Sequence, residues 1–122
     1  MKRLEYRYTK DNDEELKRIA AYLANTEHHQ AASEIYSDIE EMKNLMTDGM
    51  CHFVFTKVNG EHRDAYGTRA TDIIGRYENK EKAPSKRKPA FNGTFSYFDL
   101  ERRDWRCFRV DTLVELDRDY VV

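Results

Sequence analysis

Apolar positions recur at two different periods along this chain, and the period changes near residue 50. Over residues 14–24, Leu16, Ile19, Ala20 and Leu23 fall at steps of three and four, which places them on one helix face. Asp11, Asn12 or Asp13 can cap that helix, and Glu14 and Glu15 suit its first turn. A second helix is expected over residues 27–46, with Ala32, Ile35, Tyr36, Ile39, Met42, Leu45 and Met46 on one face and acids on the other. Thr47-Asp48-Gly49 ends it, with Gly49 as the C-terminal cap. Ahead of both helices, Leu4, Tyr6 and Tyr8 alternate with Arg3, Glu5 and Arg7, so residues 3–8 read as a short strand.

From residue 50 onward the period is two. Cys51, Phe53 and Phe55 share one face of a strand over residues 50–58, and His52, Val54 and Thr56 the other. Asn59-Gly60 is a hairpin turn, and residues 61–68 return. A loop of those two residues alone would set Phe55 opposite Asp64. Adding Glu61 to the loop sets Phe55 opposite Ala65 and Phe53 opposite Gly67, which buries a consistent face, so this register is expected. Residues 71–77 read as a helical turn leading to another short strand. Residues 78–90 form a basic loop in which two prolines exclude regular structure. Two aromatic runs, residues 95–98 and 105–110, then flank the charged turn 99–104 as a second hairpin. Phe108 and Val110 are its core pair, with Arg106 on their side and Trp105, Cys107 and Arg109 on the other. Asp111-Thr112 bends the chain into a closing strand over residues 113–116.

The run FDLERRDWRCFRVDTL closely resembles the terminal hairpin of WYL domains. There a tyrosine-aspartate pair, a charged turn and a W-R-x-F-R-hydrophobic-D run follow in that order. The upstream hairpin ending in Gly67-Thr68 is most similar to the second WYL-like family of small stand-alone proteins, and the likeness spans roughly residues 53–116. The Trp-Tyr-Leu triplet that names the larger family has no counterpart at Gly93-Thr94-Phe95. The resemblance implies an Sm-like, SH3-type β-barrel. The expected fold is therefore α+β: an N-terminal helical segment, residues 1–49, then an SH3-like β-barrel, residues 50–122. WYL barrels serve as ligand-sensing parts of transcriptional regulators, and Sm-like barrels often bind RNA, so a ligand-binding and regulatory role is what the resemblance implies.

Composition narrows the function more than the fold. Lys and Arg total 21 against 23 Asp and Glu, a net charge of −2, far from the strongly basic footprint of a dedicated DNA binder. The charge is uneven, since residues 76–109 carry about twice as many bases as acids. Two helices before a barrel can be read as a DNA-binding helix-turn-helix or as a helical hairpin packed on the barrel or on a twin subunit. The second helix carries Glu34, Asp38, Glu40 and Glu41 against Lys43, and phosphate repulsion favours the packed hairpin. No apolar stretch reaches membrane-spanning length and no signal-peptide core is present, so the cytoplasm is expected. Cys51 and Cys107 are then either one cross-strand disulfide or two buried thiols, with reduced thiols favoured.

Catalytic and metal chemistry find little support. Ser33, Ser37, Ser85 and Ser96 lack a nucleophile motif, and the five glycines are scattered through turns. His28 and His29 are adjacent and so point apart, while His52 and His62 have no assignable partner. The chain is expected to be no enzyme and to hold no cofactor or metal. The candidate ligand site is Trp105 with Arg106 and Arg109, which can stack on and fork to a planar anion. Tyr97 would add a stacking surface, and Lys86, Arg87 and Lys88 a phosphate clamp. The blander reading has the tryptophan capping the barrel under arginine stems and the basic loop merely solvated. The leading functional expectation is a nucleotide or nucleic acid bound on the barrel. The competing one is an assembly module that homodimerises through residues 27–46.

Overall fold

The computed structural model describes residues 13–26, 31–78 and 93–120. The strand expected at 3–8, the start of the second helix, the His28-His29 pair and nearly all of the basic loop lie outside them. Helix α1 spans Glu14–Ala24 and α2 spans Ala32–Asp48. Asp13 caps α1 by accepting a hydrogen bond from the Leu16 amide at 3.1 Å, which satisfies a donor that the first helical turn leaves over. Leu16, Ile19 and Leu23 bury against Ile35, Ile39, Met42 and Met46. Two residues of α2 depart from the expected face: Leu45 is exposed, whereas Lys43 is buried. Gly49 caps α2 in extended backbone, φ −156°, and not in the left-handed conformation usual for a glycine cap.

The β-unit runs β1 (Met50–Thr56), β2 (His62–Thr68), α3 (Thr71–Tyr77), β3 (Thr94–Asp99), β4 (Asp104–Arg109), a 3-10 turn (Val110–Thr112) and β5 (Leu113–Asp117). Its five strands lie in the order β4-β3-β2-β1-β5, and every pairing is antiparallel. Laid flat, β4 and β1 would stand about 14 Å apart at ordinary strand spacing. Yet Phe108 of β4 packs on Phe53 and Phe55 of β1 at ring-centre distances of 5.2 Å. The sheet therefore curls on itself, and the join between β2 and β3, only Gly67↔Asp99 and Thr68↔Phe98, is where it turns. Phe53, Phe95 and Tyr97 fill the interior, with Val110 of the 3-10 turn among them. The helices close the open side, tied down where the Arg69 amide donates to the Met46 carbonyl at 3.0 Å. Among the described residues no helix is long and apolar enough to cross a membrane.

The first hairpin corrects the expected register by two residues. Phe53 pairs with Ala65 and Phe55 with Arg63, in place of Gly67 and Ala65. The loop does hold three residues, but they are Val58, Asn59 and Gly60, bracketed by the Lys57 amide bonded to the Glu61 carbonyl at 2.7 Å. The reason is conformational. A hairpin loop of this length needs a left-handed residue at its last position, and Gly60, φ 91°, supplies it. Because the slip is an even number, Cys51, Phe53 and Phe55 keep their inward face.

Candidate functional site

The structure splits the residues singled out in the sequence between two faces. Arg106 stands opposite Tyr97, while Trp105 stands opposite Phe98 and Arg109 opposite Thr94. Neighbours directly across a sheet share a face, so Trp105 and Arg109 cannot converge with Arg106 and Tyr97. Trp105 is half-buried and meets Phe98 edge-on at 6.0 Å. Arg109 forks onto Asp111, with contacts of 3.2 and 2.7 Å. That carboxylate also accepts the Tyr22 hydroxyl at 3.0 Å. Burial works to raise the Asp111 pKa, but these two partners outweigh it and the pKa falls. Arg109 is thus a tie between β4 and α1. Tyr97 is fully buried and offers no ring face for stacking from solvent. Burial also lifts its phenol pKa far above the ordinary range. Lys86, Arg87 and Lys88 lie outside the described residues.

A recess of about 430 Å³ opens where the first hairpin meets β4. Phe55 and Tyr97 line it from within the barrel, and Lys57, Arg63 and Arg106 bring three cationic side chains to it. Arg63 is held by Asp99, a carboxylate with no solvent exposure. Asp99 also accepts the Glu101 and Arg102 amides at 2.9 Å, which shapes the second hairpin turn. Lys57 sits 3.6 Å from Glu61 at the surface, a pairing that solvent weakens. Arg106 is exposed and forms no ion pair among the described residues. Such a site, apolar within and cationic at its mouth, suits an anion that carries an apolar or planar part. Of the residues expected here, Arg106 and Tyr97 belong to it. Lys57 and Arg63 were missed, because only the true register places Arg63 beside Phe55.

Cys107 lines the same recess and is exposed, so the expectation of two buried thiols holds for Cys51 alone. Burial pushes the Cys51 thiol up to about 12, which makes it inert at neutral pH. A second hollow, about 640 Å³, lies between α2 and β5 and is lined by Glu34, Asp38 and Glu115. Its cation, Arg118, is already bound to Asp38 at 2.6 Å and Glu41 at 2.9 Å. An anion would be repelled there. No group of three or more metal-binding side chains occurs among the described residues.

The profile of a family described as WYL_2, Sm-like SH3 beta-barrel fold, matches residues 39–114. An uncharacterised 11.5 kDa protein from the Gp31-cd intergenic region of Enterobacteria phage T4 is 30% identical over 78 residues, covering 64% of this chain and 76% of that protein. No solved structure matches the chain significantly.

Proposed function

The chain belongs to the WYL_2 family of Sm-like, SH3-type β-barrels, and from that premise we propose that it is a small non-catalytic binding module. Its ligand is an anion with a planar part, a nucleotide or a single strand of nucleic acid, and its role is regulatory and cytoplasmic. The observation that carries this reading is Arg106. It is an exposed guanidinium beside Lys57 and Arg63, at the rim of an aromatic-lined recess of about 430 Å³. Guanidinium groups bind phosphate in forked geometry, and an exposed one loses little hydration in doing so.

Titrating the protein with nucleotides, single-stranded RNA and single-stranded DNA, read by fluorescence anisotropy or calorimetry, tests the proposal. Arg106→Ala and Lys57→Ala are expected to weaken binding several-fold each, whereas Trp105→Ala and Arg109→Ala leave it nearly unchanged. With so few cations at the rim, the salt dependence is shallow, about 0.7 in log-log slope for each phosphate of a single strand that is contacted. Absence of binding to every probe, or equal affinity in the Arg106→Ala protein, overturns the proposal.

A further inference from the structure

On the opposite face of β1 from Phe53, His52 lies between two carboxylates. Its Nδ1 is 2.7 Å from Asp117 Oδ2 and its Nε2 is 2.8 Å from Asp64 Oδ1. Ionised carboxylates only accept hydrogen bonds, so both contacts are satisfied together only when both ring nitrogens carry protons. The ring stacks on Tyr66, with centroids 4.4 Å apart and planes within 10°, and Tyr120 approaches it at 5.9 Å. The groups facing it are therefore Asp64 and Tyr66 from β2, Asp117 from β5, and Tyr120 from the segment after β5, a set of acids and phenols.

The contacts join three strands. His52 pairs with Tyr66 on one side and Asp117 on the other. The β1–β5 pairing is irregular between Val54 and Phe55, so the end of β5 depends on the Val54↔Glu115, Phe53↔Leu116 and His52↔Asp117 pairs. The next residue, Arg118, is fastened to α2 through Asp38 and Glu41. Two charged fasteners thus hold the end of β5, and one of them is a histidine, a side chain that can lose its charge where arginine and the carboxylates keep theirs.

We infer that His52 is a proton-operated clasp, which fastens the end of β5 across β1 to β2 while the imidazole is doubly protonated and loosens it when one proton leaves. The direction follows from the environment. Burial by itself lowers the imidazole pKa, but the hydrogen bonds it donates to Asp117 and Asp64 outweigh it and the pKa is raised. A raised folded-state pKa means that the contribution is complete below the ordinary value, about 6.5, and is lost as pH rises through the folded one.

Two measurements on the full chain test this. The first follows the His52 ring nitrogens by NMR from pH 5 to 9. The second follows amide hydrogen exchange over the same range, corrected for intrinsic rates. The imidazole is expected to titrate above its ordinary value. Protection of Leu116 and Asp117 should fall several-fold across that titration, with little change in α1 or in the β1–β2 hairpin. His52→Gln should remove the step, and Asp64→Asn, at a largely exposed position, should move both the titration and the step to lower pH. An imidazole titrating at or below its ordinary value overturns the inference. So does a step that persists in His52→Gln, or a loss of protection spread evenly over the whole chain. If His52→Gln does not fold, Asp64→Asn decides: an unmoved step rejects the clasp.

Discussion

At the residue scale, the least expected feature is Lys43, a cation on the apolar side of α2. It bonds Asp13 at 2.7 Å and Glu15 at 2.5 Å. Glu15 in turn accepts both arms of Arg69 at 2.8 and 2.9 Å. The Arg69 guanidinium lies 4.0 Å from the Phe95 ring and donates to the Ser96 carbonyl at 2.9 Å. This network joins α1, α2 and β3. A buried pair adds little over an apolar replacement, but breaking one strands its partner. Lys43→Ala is therefore expected to cost about 3–5 kcal/mol in urea unfolding. Burial would raise the Glu15 pKa, yet Arg69 and Lys43 together hold it down at about 2, against an ordinary 4.5. A depressed carboxylate contributes stability above its unfolded value and loses it as pH falls through the folded one. Stability should then drop on the order of 2 kcal/mol between pH 4.5 and 2 from this group, a drop that Glu15→Gln flattens in acid-unfolding curves. Gly67 is set by close packing: a Cβ there would meet Tyr97 at 2.7 Å and Met46 at 3.3 Å. Both neighbours are buried, so Gly67→Ala should cost about 1–3 kcal/mol by overpacking, read as a lower midpoint of thermal unfolding.

At the element scale, the first hairpin positions the recess. Gly60 has open space around it but a φ of 91°. Gly60→Ala is thus strained by backbone conformation alone and should cost about 1 kcal/mol. Asn59 accepts the Glu61 amide and donates to the Glu61 carboxylate, both at 3.0 Å, which braces the same turn. If the recess is the binding site, Asn59→Ala should weaken ligand binding more than it lowers stability, since it frees the loop that carries Lys57. Comparing the change in affinity with the change in unfolding free energy checks this.

At the scale of the whole molecule, helices and barrel share one core. Met42, Met46, Ile35 and Ile39 lie in the same buried cluster as Phe53, Tyr97 and Phe108. Most of the apolar stripe of α2 is therefore spent inside its own chain, with Leu45 left exposed. A chain truncated to begin at Asp48 would expose the barrel's inner aromatics and should aggregate or lack a cooperative thermal transition. A soluble fragment that unfolds cooperatively would show that the barrel stands alone.

Periodicity located much of this architecture: the helix over residues 14–24, the inward set Cys51, Phe53 and Phe55, and the closing strand, while the motif around Trp105 carried the family likeness. Those features are local, because each depends on residues a few places apart along one element. Three things were not local. The hairpin slip depended on which loop residue takes positive φ, and the burial of Lys43 on the acids Asp13 and Glu15 meeting it, the second of which Arg69 also binds. The sites depended on long-range pairing: His52 meets Asp117 across 65 positions of sequence, and the recess joins the first hairpin to β4. A sequence states which residues share a strand face, but only the curl of the sheet decides which faces meet.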